Sequence, residues 1–323
     1  MRELSATVGS VLRPYQAYLG PIDSDRLLLT TTFTVTHTIT YSFMLSFFVF
    51  LDWSGRCQHW RLHEKSVRPP RALLVEAAFN TLANHSLLQM LSTYYLAAPV
   101  FAAAGALDSF AAAEAPGVMQ TLAHFALCIV IHDTAFYWTH RMMHTPLLYR
   151  TVHKRHHAFS VNHAIAVEHA HVVESIVANL FPMFLPCVLL KVHGTTFMLW
   201  FSAMLAEGSD AHSGFALPYS PFRLFRQTER HAFHHSHCGG AEGLGTSGCY
   251  GGWLHFWDWA CGTDGAFLEH VERGTRPGRL SRRRPAGGPT RNSGAKSANR
   301  NFAELRGAAS PSVVAGSTAT DIH

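Results

Sequence analysis

Three features of the sequence predict an all-α integral membrane protein: a helical bundle of about four to five membrane segments with a histidine-box cap on its cytosolic side. Of the 323 residues, 48% are hydrophobic and only 15% charged, whereas soluble domains are roughly a quarter charged. The apolar residues gather into runs long enough to cross a hydrocarbon core of ~30 Å. Around the ends of those runs, histidines recur in two spacings: His140 and His144; His153, His156 and His157; and His231, His234 and His235.

Residues 1–26 are polar and mixed, without the charged start, apolar stretch and cleavage site of a signal peptide. Residues 27–51 are the first span, rich in threonine but with no charged residue before Asp52. His37 inside it reads as a core or interfacial histidine. The next loop carries Arg56, Arg61, Lys65, Arg68 and Arg71, which the positive-inside rule places in the cytosol. A second span lies within about 73–103, with Glu76 near its start and Asn80, Asn84 and His85 as intramembrane polar groups. The loop after it has Asp108 and Glu114 and no Lys or Arg, as a lumenal loop would. Residues 117–138 then return through the membrane and deliver His140 to the basic side.

Residues 172–205 are apolar again, broken by Glu174, Asn179, Pro182, Pro186 and the 191–194 turn. They read as a helical hairpin or as a pair of shallow re-entrant segments. Residues 207–270 read as a soluble cap rich in Gly and aromatics. The expected organisation is therefore an N-terminal segment (1–26), two spans with a basic loop (27–116), a histidine-box domain (117–270) and a basic tail (271–323). The tail's Arg, Gly, Ser and Pro content predicts disorder, and it accounts for the net charge of +5. No basic patch is interleaved with aromatics, which argues against nucleic acid as a partner. The six cysteines form no CxxC, which argues against a disulfide framework or thiolate site and fits a reducing compartment.

Imidazole is the usual protein ligand for first-row transition metals. His140 and His144 share one helix face, as do His153, His156 and His157, and then His231, His234 and His235. Eight such ligands are too many for one ion and indicate two. Nine of the 23 histidines fall within residues 132–171, but His132, His163, His169 and His237 read as neighbours of the site. Metal-bound imidazoles usually pass their second N–H to a carboxylate or carbonyl. Asp133, seven residues before His140 on the same helix face, is the first candidate, followed by Glu168, Glu174 and Asp210. The alternative for each is an ordinary helix-end carboxylate or salt bridge. Tyr137 and Trp138 are expected to pack in the membrane interface.

The succession FYWTHRMMH, LYRTVHKRHH, AVEHAHVVE, DAHSG, RHAFHH and WDWACGTD resembles the fatty acid hydroxylase/sterol desaturase superfamily of membrane di-iron oxygenases, over about residues 117–268. Within it, the sequence is most similar to sterol C4-methyl oxidases (methylsterol monooxygenases). Glu168, Ala170, His171 and Glu174 match their E-x-AHP-x-E stretch, and residues 211–215 their AHSGY-like stretch. Asp258, Trp259, Gly262, Thr263 and Asp264 match the closing D-W-x-x-GTD. Val172, Cys249 and Gly265 stand where that family usually has Pro, Asn and Lys.

The resemblance implies a non-haem di-iron monooxygenase whose two Fe ions are held by the eight box histidines, with His212 as a ninth ligand. His171 is implied as a further ligand or a support. Dioxygen would be the oxidant. The sequence has no GxGxxG, no CxxCH and no room for a flavin fold, so electrons are implied to come from NAD(P)H through a reductase and cytochrome b5. The implied substrate is a sterol entering from the bilayer and oxidised at its C4 methyl group. The implied location is the endoplasmic reticulum membrane, with the boxes facing the cytosol. Sterol or fatty-acyl hydroxylation and C-5 desaturation remain open on the same scaffold, because the boxes build the oxidant and do not choose the carbon. A histidine-rich metal transporter is the alternative of another class, but it would place ligands along a path within the spans. Here they sit at span ends.

Overall fold

The computed structural model describes residues 1–13, 23–62, 68–237 and 248–273, all within one compact unit, 1–280. Nearly all of the basic tail expected at 271–323 lies outside the described residues. No strand occurs among those described; one isolated bridge joins Arg61 and Phe215. The fold is an all-α membrane bundle, as the apolar runs predict.

Helix α1 (Arg2–Leu12) packs beside α2 (Ser24–Ser54). Asp23 caps α2 by accepting from the backbone N–H groups of Asp25 and Arg26. Gly55, at φ 68°, ends it in the left-handed region. The threonines of α2 suit an apolar setting because hydroxyls such as those of Thr30 and Thr31 donate to carbonyls one turn back. At its far end Asp52 pairs with Arg61 and Arg68. Arg61 is thereby buried, with its guanidinium over the Phe215 ring.

Residues 71–103 form a helical run, α3, in which π turns at Asn84–Leu88 and Thr93–Ala97 interrupt the α segments. Helix α4 is Val118–Met143 and α5 is Val172–Leu189. Helix α6 is Gly194–His212 and α7 is Gln227–His237. Two short helices follow, α8 (Phe256–Cys261) and α9 (Gly265–Glu272). Among the described residues, α2, α4 and α5 are long and apolar enough to cross a membrane. The four to five segments read from the sequence would add α3 and α6, in which Asn80, Asn84, Gln89 and Asp210 make contacts inside the protein.

Residues 172–212 form the hairpin, one of the two arrangements the sequence allowed, with Lys191 at φ 48° in its turn. Phe184 of α5 packs on Phe197 and Phe201 of α6, and Trp200 donates its indole N–H to the Met183 carbonyl at 3.0 Å. Phe33 of α2 and Phe101 of α3 complete this aromatic core. It locks four helices together. Tyr137 departs from expectation. It is fully buried and not interfacial, because its hydroxyl bonds Thr263 and receives a bond from Arg141; Trp138 next to it is half exposed.

Trp200 has no exposed surface and meets Phe125 and His132 edge-on. Trp200→Ala is expected to destabilise the bundle by about 3–5 kcal/mol. Thermal unfolding of the purified protein in detergent, followed by tryptophan-independent circular dichroism, measures it.

Candidate metal centre

The chain brings nine buried imidazoles together at the ends of its helices. His140 lies in the last turn of α4 and His144 caps that helix. His153, His156 and His157 lie on a tight 3-10 helix, His153–Ala158. His212 ends α6, and His231, His234 and His235 lie on α7. They divide into two groups, His140, His144, His153, His157 and His234, and then His156, His212, His231 and His235. Within each group one nitrogen per ring lies within 4.8 Å of all the others. In the first, the Nε2 atoms of His140, His144, His153 and His157 follow one another at 3.3, 2.9 and 3.0 Å. In the second, those of His156, His212, His231 and His235 do so at 3.2, 2.8 and 3.1 Å.

The outward nitrogens decide what these contacts mean. His140 Nδ1 donates to the Tyr250 carbonyl at 2.9 Å, and His234 Nδ1 to that of Gly248 at 2.7 Å. His212 Nδ1 donates to Gly208 at 2.7 Å, His235 Nδ1 to Phe159 at 3.1 Å and His156 Nδ1 to His169 at 3.3 Å. Carbonyls only accept, so each of these rings carries its proton on Nδ1 and a lone pair on Nε2. The inward lone pairs of His156 and His212 therefore face each other at 3.2 Å. Without a cation between them that contact is repulsive. Around an ion with metal–nitrogen bonds of about 2.0–2.1 Å, adjacent ligand nitrogens stand about 3.0–3.4 Å apart. The donor set fits one metal ion per group.

Protonation cannot serve in the cation's place. Burial, and then repulsion from neighbouring imidazoles, drives His153, His156, His157, His231 and His235 well below the usual histidine range. The same causes push His234 down to about 3. The rings are neutral at physiological pH, the form that binds metals.

The four candidate carboxylates have separate placements. Glu174 accepts from His153 Nδ1 at 2.8 Å, both groups being buried. Asp210 accepts from the Thr228 hydroxyl at 2.7 Å and so ties α6 to α7 one turn before His231. Asp133 faces the same side of α4 as His140, but the 248–254 loop comes between them; its Oδ1 accepts from Leu254 N at 3.0 Å. Glu168 pairs with His37 at 3.1 Å. His171 accepts from Val173 N as a helix cap, and His169 contributes its carbonyl to His156.

Asp258 was not singled out for the site from the sequence, yet it holds the loop that orients His140 and His234. Its carboxylate accepts from Tyr250 N, Gly251 N and the Thr263 hydroxyl at 2.9, 2.7 and 2.6 Å. A Cβ on Gly251 would approach Asp258 to 2.6 Å, and one on Gly248, at φ 72°, would lie 1.9 Å from the Thr263 carbonyl. The glycines thus let the loop close on the carboxylate. A cavity opens on the other side of the histidines. His140, His153, His156, His212 and His231 form part of its wall, and Leu180, Met183, Met204 and Leu205 supply much of the remainder. Glu207, also missed in the sequence, faces this cavity.

Residues 125–263 match the family described as fatty acid hydroxylase, and all nine imidazoles fall inside that stretch. The histidine-bearing stretch is thus similar to the fatty acid hydroxylase family. The chain is 31% identical over 164 residues to methylsterol monooxygenase 1 of Rattus norvegicus, covering 50% of this chain and 53% of that protein. It is 30% identical over 134 residues to fatty acid hydroxylase domain-containing protein 2 of Homo sapiens, covering 41% and 39%. It is 28% identical over 227 residues to methylsterol monooxygenase 2-2 of Arabidopsis thaliana, covering 67% and 78%. The matched region thus spans about half the length of the rat relative, or 53%. No solved structure matches the chain.

The histidine-bearing domain depends on Asp258 in a pH-dependent way. Burial opposes its charge, but His255, Thr263 and the Gly251 and Tyr250 N–H groups outweigh that and hold its carboxyl below the usual range. A carboxylate depressed in the folded state contributes stability above its unfolded value of about 3.9, and loses it as pH falls through the folded value. Asp258→Asn, which sets an amide N–H against existing donors, is expected to cost about 1–3 kcal/mol at pH 7. Its unfolding midpoint should fall less than the wild type's below about pH 4. Denaturation across pH 3–7 checks both parts.

Proposed function

We infer that this protein is a membrane-bound non-haem di-iron monooxygenase acting on a sterol, with the C4 methyl group as the carbon oxidised. The observation that carries this reading is the pair of all-imidazole donor groups at the wall of a largely apolar cavity. Iron bound there supplies, with dioxygen and external electrons, the power to oxidise an unactivated C–H bond, which no side chain has. The nine histidines (140, 144, 153, 156, 157, 212, 231, 234 and 235) hold the ions. Glu174 and the loop carbonyls fix the imidazoles by accepting their outer N–H groups, which also makes the rings better donors. Asp133 and Asp210 act at one remove, by anchoring the loop and the helix that carry those contacts. The apolar wall excludes water and accepts a lipid from the bilayer.

The choice of a sterol C4 methyl group rests on the Glu168–Glu174, 211–215 and 258–264 stretches and on relatives named methylsterol monooxygenases. Sterol or fatty-acyl hydroxylation and C-5 desaturation use the same oxidant. Electrons come from NAD(P)H through a reductase and cytochrome b5, which dock on the cytosolic face of the endoplasmic reticulum membrane. The basic 56–71 loop supports that orientation. A metal transporter is disfavoured, because both donor groups sit together at helix ends and form no series across the bundle.

Expression in yeast lacking its own C4-methyl oxidase tests the reading. The wild type should bind one iron per histidine group and remove accumulated 4,4-dimethylsterols, and a His156→Ala/His157→Ala variant should do neither. Iron with an unchanged sterol profile would move the substrate to another lipid. A folded wild type that binds no metal would overturn the reading.

A further inference from the structure

A second polar feature lies on the cavity wall, away from the histidine boxes. His37 Nε2 stands 3.1 Å from Glu168 Oε1 and 3.3 Å from Gln89 Nε2, which lies 3.3 Å from Glu168 Oε2. The three residues come from α2, α3 and the 3-10 turn Ala164–Glu168, and all three line the cavity. His37 and Gln89 are buried, at 5% and 6% exposure. The cluster is also braced from behind. Asn80 and Asn84 donate to the Glu168 carbonyl at 3.0 and 3.1 Å. Gln89 begins the short α segment between the two π turns of α3, and each π turn rotates the helix face that follows it.

We propose that His37, Gln89 and Glu168 form a subsite for a hydroxyl group on the lipid substrate. Polar groups beside apolar surface are costly to bury unless they are hydrogen-bonded, and a few convergent ones in an apolar pocket fix a ligand's orientation. The donor set selects the ligand. An alcohol donates one hydrogen bond and accepts others, so it satisfies the Glu168 carboxylate and the Gln89 amide together. A fatty-acid carboxylate only accepts, and it would meet the like charge of Glu168. The cluster therefore favours a neutral lipid alcohol, the sterol class, over a free fatty acid. With its hydroxyl fixed here, the lipid presents one particular region to the histidine wall. His37, Gln89 and Glu168 are positioning residues in this scheme, which rests on the monooxygenase reading for the existence of a lipid substrate.

The test is equilibrium binding to the full chain in nanodiscs. The probes are 4,4-dimethylcholesterol, its 3-deoxy counterpart and oleate. The wild type should bind the alcohol about tenfold or more tightly than the deoxy compound. Gln89→Leu and His37→Phe should bring the alcohol down to the deoxy level while leaving deoxy binding unchanged, which also shows that the cavity is intact. Glu168→Gln should admit oleate. Equal wild-type affinity for alcohol and deoxy compound would overturn the subsite, as would a preference that survives both substitutions. Turnover is scored separately: preference without oxidation overturns the monooxygenase reading and leaves the subsite standing, and oxidation without preference does the reverse.

Discussion

The structure is organised around a set of lone pairs that have nowhere else to go. Five of the nine imidazoles give their single proton to a carbonyl on the outside of the cluster. Their inner nitrogens are then bare acceptors, crowded against other bare acceptors and sealed from water. A cation in each group would resolve that crowding. Much of the surrounding architecture serves the outer half of that bargain. The 248–252 loop, the turn at Phe159 and the last turns of α6 present carbonyls at the positions where ring protons must be received.

A continuous chain of hydrogen bonds supports the loop. Arg141 donates to Tyr137, Tyr137 bonds the Thr263 hydroxyl, and Thr263 donates to Asp258. Asp258 in turn receives Tyr250 N and Gly251 N, the latter in the same peptide as the carbonyl that holds His140, while the peptide whose carbonyl holds His234 gives its Cys249 N–H to the Thr263 carbonyl. The closing segment of the domain is thus coupled through the loop to the same helix, α4, that provides His140.

Eight of the histidines were legible in the sequence because helical spacing records which side chains share a face, and His212 through the family resemblance; all nine come together. The supporting contacts were legible only in part. Glu174 was recognisable as a carboxylate near the boxes, and it does meet His153. Asp133 was read on the correct face of α4, but periodicity does not show that a loop more than a hundred residues later fills the gap. Tyr137 looked interfacial because Thr263, which its hydroxyl bonds, lies far along the chain. The carbonyls of Gly248 and Tyr250 were invisible in principle, since every residue has one. Their only trace was the glycine beside them, and at Gly248 and Gly251 the close approach of Thr263 and Asp258 explains it.

The order of these parts along the chain also bears on how the protein is made. Synthesis runs from the N-terminus, so α4 and the His153–Ala158 turn emerge well before α7. The two donor groups are complete only once residues 234 and 235 respectively have been added, because each draws at least one imidazole from α7. The carbonyls that orient His140 and His234 fall into place later still, once Asp258 and Thr263 have appeared. The α5–α6 hairpin is therefore synthesised before either donor group can assemble. The paired imidazole groups, and the last residues of the cavity wall beside them, Gln227, His231 and Gly252, are completed only by the final third of the described chain.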